Sequence, residues 1–453
     1  MQRSYDMVKT PAGAIISGTV QGKGVTFTKS LLIPSRPVTP YDMRPIPNIL
    51  FVAPAILALS ISCGSNNVSS QKARQTDGPG PVETGKPNAE YKPAFAGQTR
   101  VNGVKTTTPY KADQLAEGLE RPWAVAPMPD GRLLITSING YMTIHDANGK
   151  QLTKITGFPP VVVRGQGGLL DVALDPDFQN NRMIYWSFSE KYGNGNLMAV
   201  AKGKISADET MIGNPTVIFR ATPELNSNLH FGSRIVFDSD GHMFVSTGER
   251  SSPEGRKQAQ WLNSGLGKIF KITKDGKPAP GNPFLNTPDA MPEIYCYGNR
   301  NVQSLDIHPE TGELWEAEFG PRGGDELNLI KPGKNYGWPI ITYGIEYSGF
   351  KIGDAIQQKE GMEQPVYYWD PVISPSGMAF YHGNDIPEWK NNLFIGCLSG
   401  IHIARLVIEG NRVVGEERLL TDKLERFRDV AYANGKLYAV TDNGKLYRIG
   451  KAD

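Results

Sequence analysis

PDGRLLITSINGYMTIHD, residues 129–146, decides the fold: a turn on Asp and Gly, a short apolar strand, a second turn on Asn and Gly, and another strand. The phrase recurs as DPDFQNNRMIYWSFS from 175, DSDGHMFVSTGE from 238, HPETGELWEAEFG from 308, IPEWKNNLFIGCLSGIHIARLVI from 386 and YANGKLYAVTDNGKLYRI from 432. Turn markers Gly131, Asn181, Gly241, Gly312, Asn391 and Gly435 are spaced by 50, 60, 71, 79 and 44 residues. About 340 residues over six copies give roughly 57 per unit, the size of a four-stranded propeller blade with uneven loops. The reading is an all-β, six-bladed β-propeller of four-stranded antiparallel blades over residues 110–453. A strand from near 111 to 125 is expected to pair with the last blade, because an open ring would expose sheet edges.

Composition agrees. Gly 50 and Pro 34 together approach one residue in five of 453, which points away from helical bundles and coiled coils. With 48 basic against 46 acidic residues and no run of five like charges, nothing favours a nucleic-acid partner. Cys63, Cys296 and Cys397 form no CxxC pair and the six histidines no HxxxH, so zinc and iron–sulfur sites are excluded and any metal should be bound by oxygen.

Ahead of the repeats, ILFVAPAILALSIS at 49–62 is an apolar run of signal-peptide length ending at Cys63, and ALSIS-Cys63 resembles a bacterial lipoprotein signal. Pro45, Pro47 and Pro54 argue against a buried helix. Met43 with Arg44 is read as the authentic start, residues 1–42 as a non-native upstream extension, 43–62 as the signal and 63–109 as a flexible tether. The protein is therefore expected to be exported, periplasmic or periplasm-facing, touching membrane only through a lipid on Cys63.

Ligands of propellers bind where loops converge at the channel mouth. His242, His308 and His382 fall at repeat turns, and His145 and His402 in or at the end of repeat strands. His230 alone precedes a strand in a non-repeat segment, NSNLHFGSRIVF, and is the candidate general base. Glu249, at the end of the strand MFVSTGE, is placed to orient it. GQGGLL at 165–170 sets Gln166 among glycines that allow close backbone approach to a ligand. YGNRNVQS supplies Arg300 and Asn301, and ERFRDV puts Arg426 and Arg428 two residues apart on one extended face, both able to point at one anion. EFGPRGGDELNLI and NYGWP offer Gly and Pro carbonyls with Asp325 and Glu326, hard oxygen ligands suited to calcium.

These blocks, in this order and spacing over about 340 residues, resemble the soluble quinoprotein sugar dehydrogenases, the group of aldose sugar dehydrogenase and soluble glucose dehydrogenase. The resemblance implies a six-bladed propeller using pyrroloquinoline quinone (PQQ) and calcium. It assigns His230 as the base for the anomeric hydroxyl, Glu249 as its holder, Gln166 and Arg300 to the reacting end of the cofactor with Asn301 beside them, and Arg426 and Arg428 to its carboxylates. It implies main-chain oxygens of Gly320 and Pro321 as ligands of an active-site calcium, and Asp325, Glu326 and Tyr336 around a structural one. The sequence departs from the glucose enzymes at Leu229, where they carry aspartate, and at Ser399, where they carry a cofactor-binding lysine. The loop from Pro371 to Pro375 keeps only their outline. The broad-specificity aldose branch therefore fits better.

The implied partners are a small aldose and an external electron acceptor, the chain being a monomer or homodimer. Two other readings are a calcium-dependent sugar lactonase, with His230 activating water, and a non-catalytic propeller binding sugar or protein. If Cys63 carries the anchor, expression from Met43 gives membrane-associated protein and Cys63→Ser gives soluble or uncleaved protein. Fractionation and mass spectrometry check this, and unprocessed cytoplasmic protein would refute it.

Overall fold

Each quoted copy folds as the turn after the first strand of a four-stranded antiparallel sheet followed by the second strand, and three copies run on into the third. In the first, the Gly131 N–H closes the turn on Met128 O at 3.0 Å with φ +86°, and Gly241 and Gly312 repeat this with φ +76° and +70°. Glycine suits these positions because a Cβ is strained at such φ. In the second copy the left-handed residue is Arg182 (φ 56°), one position after Asn181.

The computed structural model describes residues 79–452 and the backbone of 3–10, 13–22 and 25–34. The latter strands, Arg3–Thr10, Gly13–Gly22 and Val25–Pro34, pair in that order as an antiparallel sheet that forms a separate unit. Residues 43–62, including Met43, and the anchor at Cys63 lie outside the described residues.

The six blades start with inner strands Pro122–Pro127, Leu169–Leu174, Gly232–Phe237, Val302–Ile307, Pro375–Phe380 and Phe427–Ala433. Each inner strand contacts the next, and the last contacts the first, which closes a six-bladed β-propeller. The expected closing strand is Tyr110–Ala116, paired antiparallel to Leu446–Lys451 as the outer strand of blade 6. Second strands are sandwiched between blades. Every residue of Leu133–Ser137 and of Leu393–Cys397 is buried, and Trp186, Trp315 and Trp389 fill the space between sheets.

The tether reading of 63–109 needs correction where the chain is described. From 79 onward it lies as a strap along blades 4 and 5. The N–H groups of Asn88 and Ala89 donate to Asp370 at 2.8 and 2.9 Å, Gln98 donates to Pro365 O at 2.9 Å, and Thr106 donates to Glu417 at 2.6 Å. Polar side chains and main-chain groups hold it, so apolar periodicity carried no signal.

At the axis, buried Arg234 of blade 3 bridges Asp171 of blade 2 at 3.2 Å and Asp429 of blade 6 at 2.8 Å. It also donates to Gln303 O of blade 4 at 2.7 Å and stacks 4.2 Å over Trp123 of blade 1. Burial pushes the Asp429 carboxyl up to about 6 despite this cation. Arg234→Met leaves two buried carboxylates unpaired, and a loss of about 3–5 kcal/mol is expected by denaturant unfolding. An unchanged midpoint would show that the cluster contributes no stability.

Candidate active site

The inner strands run outward from one end of the ring, so the residues at their beginnings converge. A cavity of about 490 Å³ opens there, lined by at least one residue from the start of each: Arg121, Gln166, His230, Arg300, Ser374 and Arg428, in blade order. Gly165 adopts φ +60° and passes so close to Asn228 that a Cβ would lie 2.4 Å from its carbonyl oxygen. The glycines expected to admit a ligand thus admit a neighbouring main chain.

His230 precedes the inner strand of blade 3 with a left-handed φ of 50°. Its N–H donates to Gln166 Oε1 at 2.8 Å, so Gln166 both lines the cavity and fixes the histidine. The ring Nδ1 lies 2.8 Å from Glu249 Oε1. Glu249 is itself placed by its N–H donating to Arg300 O at 2.9 Å. This leaves Nε2 as the ring nitrogen without a protein partner. Burial and the Arg300 cation pull the His230 pKa down to about 4, outweighing the Glu249 carboxylate, which acts to raise it. The imidazole is therefore neutral at pH 7 and able to accept a proton. The other five histidines lie outside the cavity lining.

Arg300 is buried, with its guanidinium over Trp338 at 5.2 Å and Nη1 donating to Phe319 O at 2.7 Å. Glu318 accepts from the backbone N–H groups of Arg300 and Asn301 and so shapes this turn. Asn301 departs from expectation. Its side chain does not line the cavity but accepts from Gly232 N–H at 3.0 Å, beneath His230, because that buried N–H needs an acceptor.

Arg426 and Arg428 both reach the cavity, and both bond Asp442: Nε of each lies 2.8 Å from a different oxygen. The sequence reading missed Asp442 because TDNG reads as a turn. One carboxylate shared by two guanidiniums fixes their geometry and leaves a net positive charge.

Behind Phe319 a second cavity of about 10 Å³, the size of one ion or water, is lined by Glu318, Gly320, Pro321, Glu326 and Tyr336 among others. The main-chain oxygens of Gly320 and Pro321 accept no hydrogen bond among the described residues. Burial pushes Glu318 up to about 7 and also raises Glu326. Asp325 differs from expectation: both its oxygens are spent on N–H groups of Gly320, Ile373 and Ser374 at 2.7–2.8 Å, tying two loops. The Tyr336 phenol is likewise committed, to Leu329 O and Lys331 N–H, leaving its main-chain oxygen. Ser399 Oγ contacts Ser374 Oγ at 2.8 Å, and Leu229 is exposed beside His230.

A family model described as Glucose / Sorbosone dehydrogenase matches residues 119–448. The chain is 41% identical over 341 residues to the aldose sugar dehydrogenase YliI of Escherichia coli K12, covering 74% of this chain and 91% of that protein. Among solved structures it is similar to the apo form of the soluble E. coli aldose sugar dehydrogenase, with 39% identity, TM-score 0.73, and 76% and 100% of the two chains covered. It is also similar to the PQQ-bound aldose sugar dehydrogenase of Streptomyces coelicolor, with 30% identity, TM-score 0.61, and 76% and 99% coverage.

The charge balance at His230 can be measured without turnover. An NMR titration of its ring, in protein without added cofactor, is expected to show a midpoint near 4, and Arg300→Gln should move it upward by removing a depressing charge. A midpoint at 6.5 in both proteins would contradict this electrostatic account.

Proposed function

The chain belongs to the glucose/sorbosone dehydrogenase family, and on that premise we propose that it is an oxidoreductase converting aldoses to lactones at the anomeric carbon, with PQQ and calcium held at the propeller mouth. The observation that carries this reading is a neutral, carboxylate-held His230 facing a cavity lined by Arg121, Arg300, Arg426 and Arg428. A lactonase or a passive sugar-binding module leaves that cationic lining without a task.

The residues present fit both groups. Arg426 and Arg428, pre-oriented by Asp442, suit the carboxylates of an anionic cofactor, and Arg300 suits the oxygen end that gains negative charge. The unclaimed carbonyls of Gly320 and Pro321 are hard donors for calcium. Glu318, Glu326 and the Tyr336 main-chain oxygen around the ion-sized cavity are a second all-oxygen set. When bound, PQQ supplies the two-electron acceptor for the hydride. His230 Nε2 takes the anomeric hydroxyl proton as the C–H bond breaks, and Glu249 at Nδ1 keeps the ring oriented and stabilises the imidazolium that forms. Export with a lipid on Cys63 belongs to the same reading and places the sugar substrate outside the cytoplasm.

The test is reconstitution: PQQ with calcium, then a panel of aldoses with a dye acceptor. Activity is expected only with both, and chelation should release PQQ. His230→Ala should slow substrate-driven reduction by about a hundredfold to ten-thousandfold while PQQ affinity holds. Activity indifferent to chelation, or a wild-type rate in His230→Ala, would refute these roles.

A further inference from the structure

Four arginines line the mouth, and they are not equivalent. Arg426 and Arg428 are held by Asp442, and Arg300 is buried and tied to Phe319 O. Arg121 is exposed, has no ion-pair partner among the described residues, and makes a single side-chain hydrogen bond, a long one of 3.4 Å to Asn139. It nonetheless sits on a fixed frame. Its main chain takes a left-handed φ of 46°, and its carbonyl accepts from Ile138 N–H at 3.1 Å, anchoring the entry to the first inner strand. A non-glycine residue in that conformation is uncommon and is kept where the surroundings demand it.

Its position follows from the ring. Arg121 precedes the inner strand of blade 1, and Arg426 and Arg428 begin that of blade 6; these strands are adjacent, stitched by Val125 N–H donating to Asp429 at 2.8 Å. The uncompensated guanidinium thus stands on the same rim as the Asp442-bound pair, lining the same cavity. On the other side of that pair, in blade 5, Arg426 Nη1 donates to Leu398 O at 3.2 Å, and the next position, 399, offers a neutral hydroxyl already engaged with Ser374 and with Val372 O. A ligand with three carboxylates therefore meets two compensated cations, and no cation from Ser399.

We propose that Arg121 is a cofactor-anchoring residue of this chain, supplying to the anionic cofactor the cationic contact that Ser399 cannot. The inference rests on the PQQ reading above. Arg121 serves binding and takes no part in proton transfer.

Direct binding tests it: PQQ titrated into calcium-loaded protein, followed by intrinsic fluorescence or calorimetry, for wild type, Arg121→Gln, Arg121→Lys and the double variant Arg121→Gln with Ser399→Lys. Arg121→Gln is expected to weaken PQQ by about tenfold and to flatten the salt dependence of binding; Arg121→Lys should keep most of the affinity. The double variant should recover part of the loss. Because Arg121 is exposed, thermal midpoints should agree and exclude misfolding. If wild type binds PQQ and Arg121→Gln binds it within twofold, with the same salt dependence, Arg121 is no anchor and the PQQ reading stands. If wild type itself binds no PQQ, the cofactor reading fails and this inference fails with it.

Discussion

Inner strands of neighbouring blades meet face to face rather than edge to edge, so their inward polar groups cannot pair through a shared ladder. Each such group still needs a partner when buried. Side chains provide it in alternation: Asp171, Asp306 and Asp429, on blades 2, 4 and 6, accept the N–H of Ile235, Phe380 and Val125 on blades 3, 5 and 1 at 2.7–2.8 Å. Hydroxyls answer the carbonyls, with Thr136, Ser187, Ser246 and Ser304 donating to Leu170, Ser233, Val302 and Ser376 of the following blades. Arg234 then neutralises two of the three aspartates at the axis. Between blades 5 and 6 the hydroxyl is a phenol, Tyr381 donating to Gly435 O at 3.1 Å, and Gly396 lets the chains approach, since a Cβ would sit 2.8 Å from Phe427 O.

The site inherits its precision from this ring. Every inner strand shifts register against its second strand, in blade 3 between Gly232 and Ile235. Such irregularities bend a strand and re-aim side chains at its end. His230, one turn of chain before that shift, is fixed by the Gln166 side chain from blade 2 and the Glu249 carboxylate beyond its own second strand. Asn301 of blade 4 holds the intervening Gly232 N–H. Three blades thus position one imidazole, and moving any one of them moves the base.

The period of the repeat was legible in the sequence because its turns carry Gly or Asn at a left-handed position, or in the second copy beside one, between buried apolar strands. The place of His230 was legible because it stood outside that repeat. What escaped was polar and long-range. Asp442 looked like a turn former, Asn301 like a cavity residue, and Asp325 like a metal ligand, although its oxygens bind three N–H groups from two loops. The strap from residue 79 had no apolar rhythm because its partners, Asp370, Pro365 and Glu417, lie about 270–310 residues away. A local pattern records a hydrophobic face; it does not record a carboxylate waiting for a distant amide.

The same cations serve two ends of the mouth differently. Near His230, burial first and then the field of Arg300, which forms no ion pair with a carboxylate side chain among the described residues, override Glu249 and keep the ring neutral. A histidine paired with a carboxylate alone would hold its proton more tightly and be a poorer acceptor at pH 7. At the far end, Asp442 absorbs one charge of the Arg426 and Arg428 pair, and the two guanidiniums lower its carboxyl pKa against burial that acts to raise it. That pair keeps its geometry and one net positive charge, enough to attract a carboxylate without repelling itself apart. Separating an uncompensated cation beside the base from a compensated pair beyond it lets one cavity favour an anion and still present a neutral base.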